Sequence, residues 1–255
     1  MCVLAFAYKV HPKYPLIFIS NRDEFYQRAT RKAQFWEAER FPGILAGKDL
    51  EAGGTWLGLQ EKGRWGALTN YRAIQNIKED APSRGHLVLD FLKTEISAID
   101  YLSNLQKTAS LFNGFNLLLS DEQGIYHYSN VTHLITIIQP GIHVLSNALL
   151  NTPWPKTKKI KALFIEALQQ NKIASEDLFS ILNNKEKAAE DLLPKTGLSP
   201  ELEKEVSSIF IETPNYGTRC STLLLQDNDK NIYFTERSYS ETHSKEVDLQ
   251  FEIKL

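Results

Sequence analysis

Cys2 occupies a position that offers more chemistry than its residue type alone. It stands directly behind Met1 in MCVLAFAYKV. Two readings are open. As a packing residue, Cys2 is a small apolar side chain that begins a strand. As a reactive residue, it becomes on removal of Met1 an N-terminal cysteine carrying a thiol and a free α-amine. The thiol, with an ordinary pKa of about 8.5, then lies beside an amine of about 8. An amine that close takes the thiol proton, so one residue supplies nucleophile and base. Such a centre needs a carboxylate to orient the amine, a cation to favour the thiolate and donors for the oxyanion of the attacked carbonyl.

Candidates for each role are present. Asn21-Arg22-Asp23-Glu24 follows the apolar run LIFIS. If the first two strands pair antiparallel around the turn HPKYP, the far end of the second returns to Cys2 and brings Asp23 or Arg22 to it. Otherwise the four residues form a solvated charged turn. Asn70 ends RWGALTN and Asn147 ends GIHVLSN. Each amide could donate two hydrogen bonds to an oxyanion, or simply make a turn. Arg219 opens the apolar strand candidate TRCSTLLL. If it faces the site, strand alternation sends Cys220 to the opposite layer, and no Cys2–Cys220 disulfide is expected.

The elements that must position these residues can be read in outline. Cys2–Val10 and LIFISNRDEF form a β-hairpin. An irregular stretch rich in aromatics and glycine follows, and then TWLGLQ and RWGALTN pair around EKGR. SRGHLVLDFLKTEISAIDYLSNL has helical spacing, with Ser83 as its N-cap. FNLLLSD, GIYHYSN, HLITII and GIHVLSN are short strands. PKTKKIKALFIEALQQN is a helix with Pro155 in its first turn and a stripe of Ile160, Leu163, Phe164, Ala167 and Leu168; its lysines are expected on the solvated face. A charged helical region continues to about residue 207. TRCSTLLLQ, NIYFTERSY and VDLQFEIKL close the chain as strands. Antiparallel strands with helices inserted as blocks give an α+β class, and the absence of repeats or low-complexity linkers gives one domain, 1–255.

Composition narrows the function. The 255 residues are 42% hydrophobic and 24% charged with a net charge of -2, which describes a globular protein with a large core and no basic surplus for nucleic acid. No apolar run reaches the length of a membrane span, no secretory signal is evident, and two cysteines make no disulfide framework; a cytoplasmic protein is expected. The six histidines show no metal-ligand spacing. GGTWLG lacks a phosphate-loop context, so its glycines are expected to turn the backbone tightly near Trp56.

The order MC…ISNRDEF…GGTWLG…G-ALTN-R…LSN…TRCST, spread from residue 1 to about 240, resembles the NRDE family, also called the transport and Golgi organisation homologues. That family resembles the N-terminal-nucleophile hydrolases. The resemblance implies a four-layer αββα sandwich of two antiparallel sheets between helical layers. It also implies nucleophile Cys2, an amine-orienting Asp23, oxyanion amides Asn70 and Asn147, and a late-strand Arg219, with Asn21, Arg22, Glu24, Trp56 and Arg72 as binding residues. In the bile-salt hydrolase and penicillin V acylase branch the early Arg stands three residues before the Asp, where this chain has Ser20. Arg22 and Asp23, as neighbours on a strand, point to opposite faces. Two functions follow. One is hydrolysis of a linear non-peptide amide, without cofactor. The other is binding or trafficking of haem or a lipid-like ligand on the same scaffold, in a pocket lined by Trp36, Trp56 or Trp65.

Overall fold

The computed structural model describes residues 2–37, 41–170, 172–240 and 242–255. Its contacts divide the chain into two compact units: residues up to Gln27 together with Pro140–Ile253, and Arg28–Gln139 together with Lys254 and Leu255. Each unit is built on one antiparallel sheet, as the α+β expectation requires.

The first unit begins with β1 (Cys2–Tyr8) and β2 (Leu16–Phe25), paired antiparallel with Cys2 opposite Arg22. A hydrogen bond from Lys9 N–H to the Pro15 carbonyl, 2.7 Å, closes the turn between them. β10 (Gly141–Leu145) lies outside β1. β11 (Tyr216–Gln226), β12 (Ile232–Tyr239) and β13 (Lys245–Ile253) continue the sheet beyond β2, giving the six-strand order β10-β1-β2-β11-β12-β13. The central strands are buried on both faces, and alternation divides their side chains. Val3, Ala5, Ala7, Ile17, Ile19, Val144 and Leu223 pack with Ile160 and Phe164 of α3 (Pro155–Leu168) and with Leu178, Phe179 and Leu182 of α4 (Ser175–Leu182). Leu4, Phe6, Phe18, Leu224 and Phe234 occupy the other face. The helical region expected to run to residue 207 is broken. Between α4 and α5 (Pro200–Glu205) the chain forms only a 3-10 turn at Glu190–Leu192. Pro194 pushes its predecessor out of the helical region, and Gly197 has φ +98.

The second unit is a meander in chain order: β3 (Thr30–Trp36), β4 (Phe41–Asp49), β5 (Leu57–Gln60), β6 (Trp65–Asn70), β7 (Phe115–Asp121), β8 (Gly124–Ser129) and β9 (Leu134–Ile137). β3 and β4 correct the irregular stretch expected there. Register shifts between Arg31 and Gln34 and between Phe35 and Trp36 break the period-two pattern by which a strand is read. Two helices, α1 (Gly85–Lys93) and α2 (Ala98–Leu105), cover one face with Leu87, Val88, Phe91, Leu92 and Leu102. The single helix expected there is thus two, because Thr94 adopts an extended conformation (φ -101, ψ 158) and Ser97 starts α2 by accepting the Asp100 N–H. Arg84, not Ser83, is the N-cap of α1. Gly53 has φ +77, and a Cβ on Gly54 would lie 2.4 Å from the Gly85 carbonyl carbon, so the first two glycines of GGTWLG are required by the backbone. Trp36 is fully buried core with its indole N–H on the Ala46 carbonyl, and Trp65 is buried as well. Among the described residues no helix is long and apolar enough to cross a membrane.

Candidate functional site

The N-terminal end of β1 gathers most of the first unit's candidate residues. Cys2 stands opposite Arg22, and Arg22 stands opposite Cys220 on β11, so the three side chains form a row on one face. The reading that alternation separates Cys220 from the site is corrected by a β-bulge. The register between β2 and β11 shifts between Thr218 and Cys220, leaving Arg219 as the extra residue. Thr218 pairs with Asp23 and Cys220 with Arg22, so residues two apart on β11 face opposite ways. Both cysteines are free thiols. With β2 between them their Cα atoms are about 9.5 Å apart by strand spacing, which is beyond disulfide reach.

Arg22 and Asp23 do face opposite sides, as neighbours on a strand must. Arg22 is the cation across from Cys2, with its Nη2 4.0 Å from Glu24 Oε2. Asp23, 1% exposed, turns to the face covered by helices and accepts the Thr218 hydroxyl at 2.7 Å. Its main-chain N–H is donated to the Cys2 sulfur. Burial pushes the Cys2 thiol above its ordinary range, and the Asp23 charge adds to this; the positive charge of the amino terminus, the Asp23 N–H and the Arg22 guanidinium pull it back. Burial also raises the Asp23 carboxyl, against the Lys156 charge and the Thr218 hydrogen bond. Cys220 is held well above its ordinary value by burial and by the Glu236 carboxylate.

Asn147 is fully buried and lies two residues beyond Leu145, the last residue of β10, which pairs with Leu4. The Ser146 hydroxyl donates to the Cys2 carbonyl at 2.9 Å and lies 3.4 Å from Asn147 Oδ1. Arg219 has another attachment: its Nη1 donates to the carbonyls of Phe25 and Tyr26, at 3.0 and 2.8 Å, clamping the chain as it leaves β2. Asn21 donates both amide hydrogens to the Leu182 and Ile209 carbonyls and accepts the Ser221 hydroxyl, so its side chain ties the sheet to α4 and has no hydrogen left for a ligand.

The remaining candidates belong to the second unit. Asn70 is the last residue of β6 and is half-buried, Arg72 follows two residues later, and Trp56 lays its ring against Gly47. On that unit's sheet His127 is bonded to Asn116 Oδ1 at 3.3 Å, and Asn116 donates to Thr69 at 3.2 Å. Burial lowers the His127 pKa to about 4. Among the described residues no group of histidine, cysteine and carboxylate side chains is placed to hold a metal ion.

Three residues around Cys2 and Asp23 escaped the sequence reading: Ser146, Thr218 and Lys156. Lys156, expected with the other lysines on the solvated face of its helix, is only 3% exposed. The signal was present, because Lys156 lies four residues before Ile160 and so on the apolar stripe of α3. Thr218 and Ser146 carry no such signal; only strand pairing selects them.

The family model described as Transport and Golgi organisation 2 matches residues 1–241. The Transport and Golgi organization protein 2 homolog of Homo sapiens is 38% identical over 260 residues, covering 93% of each chain. The Drosophila melanogaster protein of that name is 30% identical over 264 residues, covering 93% of this chain and 92% of its own. Among solved structures, the N-acylethanolamine-hydrolyzing acid amidase ortholog of Caenorhabditis elegans aligns with a TM-score of 0.49 at 10% identity, over 88% of this chain and 92% of that one. The chain belongs to the Transport and Golgi organisation 2 family.

Proposed function

We propose that this protein is an N-terminal-nucleophile hydrolase that uses Cys2 to cleave a linear, non-peptide amide. One observation carries the reading: Cys2 begins a central strand with the Asp23 N–H on its sulfur and Arg22 across from it. In the proposed reaction Met1 has been removed. The freed α-amine takes the proton from Sγ, which burial otherwise keeps protonated. The thiolate attacks the amide carbonyl carbon and forms the C–S bond, while the carbonyl π electrons pass to oxygen. The Asn147 amide stabilises that oxyanion. Collapse breaks the C–N bond, and the amine leaves with the proton held by the α-ammonium. Water then hydrolyses the thioester and regenerates the thiol. Asp23 orients the amine, and Arg22 favours the thiolate.

The test begins with the intact mass of the purified full chain, followed by a limiting dose of iodoacetamide and peptide mapping. The expected result is a mass lacking methionine and alkylation of Cys2 at least tenfold faster than of Cys220. Turnover of an amide panel should then be lost in Cys2→Ala. Retained methionine with an inert Cys2 removes the hydrolase reading, and titration with haem and lipids becomes the next measurement.

A further inference from the structure

α3 brings a lysine into the buried face on which Asp23 lies. Lys156 is the second residue of that helix and is 3% exposed, although lysine is rarely buried without a charge to meet. The first turn that carries it is pinned: the Thr157 hydroxyl lies 2.9 Å from the Trp154 carbonyl and 2.6 Å from that of Thr152, bonding the turn back onto the preceding loop. α3 packs against β1 and β10, the two strands whose ends carry Cys2 and Asn147. Two other buried charges of this unit, on β12 and α5, have their own engagements. Arg237 is bonded to Glu176 and Asp248, and Glu203 accepts from the Thr196 N–H and hydroxyl. Asp23 is the carboxylate on which the Lys156 charge acts.

We propose that Lys156 is a positioning residue of the Cys2 site, whose ammonium offsets the negative charge of the buried Asp23 carboxyl and thereby sets the pH at which the Cys2 thiol gives up its proton. This rests on the nucleophile reading above. The physics follows from the charges alone. Asp23 beside a free α-amine holds that amine protonated, which makes it a poor base. A second cation sharing the carboxylate weakens that hold and favours loss of a proton from the thiol–ammonium pair. The other charged and titratable groups around Asp23 are Arg22 and Glu24 on its own strand, Cys2 on β1, and Arg219 and Cys220 on β11. Tyr26 lies just beyond β2, and its own ionisation is affected by the Asp23 charge.

The experiment measures the rate of Cys2 alkylation against pH, resolved by peptide mapping, in the full chain and in Lys156→Met and Lys156→Arg. The Met variant is expected to move the midpoint up by about one pH unit, which is a tenfold slower reaction below the midpoint. The Arg variant keeps the charge and is expected to retain the original profile. Where methionine disrupts the fold, Lys156→Gln removes the charge while retaining a donor, and the same upward shift is expected. An unchanged midpoint in a folded neutral variant overturns the role of Lys156 alone. A wild-type Cys2 that is inert at every pH overturns the nucleophile reading and this inference with it.

Discussion

At the scale of single residues, neighbours in sequence have separate tasks. Arg22 and Asp23 share a strand end, yet one faces Cys2 and Cys220 while the other faces Thr218 and the helical layer. Asn21 is fully engaged in holding the fold. His127 illustrates the cost of a buried titratable group. Its pKa of about 4 lies below the ordinary value because burial disfavours the cation. The unfolded chain therefore binds a proton first as pH falls. Stability should be lost between about pH 6.5 and 4 and level off below, by about 3 kcal/mol for a shift of this size. Urea midpoints of the wild type and His127→Gln at pH 7 and 4.5 test this. The variant should lose distinctly less stability on acidification, and equal losses would refute the assignment. Lys156 belongs to the same scale, since its charge suggested the solvent although its spacing from Ile160 puts it on the apolar stripe, where it is 3% exposed.

Among the elements, strong periodicity was legible and irregularity was not. The first hairpin, the β5–β6 pair and α3 are where the residue pattern puts them, because each buries a regular stripe or alternation. β3 and β4 were illegible, since their register shifts mix the two faces. The division of α1 from α2 was hidden because the apolar spacing resumes after the break and only the Thr94–Ser97 backbone marks it. The start of α1 also depends on a close backbone approach. A side chain on Gly54 would strike the main chain of Gly85, which cannot move aside as a flexible side chain can. Gly54→Ala should therefore destabilise the protein by about 2 kcal/mol or more, read as a lowered urea midpoint with an unchanged slope. A neutral substitution would show that the β4–β5 loop and α1 are free to separate.

At the scale of the whole molecule, the first unit is assembled from both ends of the chain, with the second inserted between Gln27 and Pro140. The sequence shows no linker at either crossing. The expected behaviour is that of one domain: a single cooperative unfolding transition. The tryptophans make this measurable, because Trp36, Trp56 and Trp65 lie in the second unit while Trp154 lies in the first. Tryptophan fluorescence then reports mainly on the second unit, and far-ultraviolet circular dichroism on both. The two denaturation curves should coincide. Separated midpoints would make the units independent domains.

The sequence by itself determined the elements with a regular apolar period, the antiparallel α+β class and, through MC, NRDEF and TRCST, the family. Local physics suffices for these, since a buried face repeats every two residues in a strand and every three or four in a helix. Only the tertiary structure decided which side chains meet at Cys2. The bulge at Arg219 reversed the facing of Cys220, strand pairing brought Thr218 to Asp23, and the packing of α3 buried Lys156. These depend on register and on contacts between residues far apart in the chain, and a shift of one residue in register exchanges the two faces of a strand.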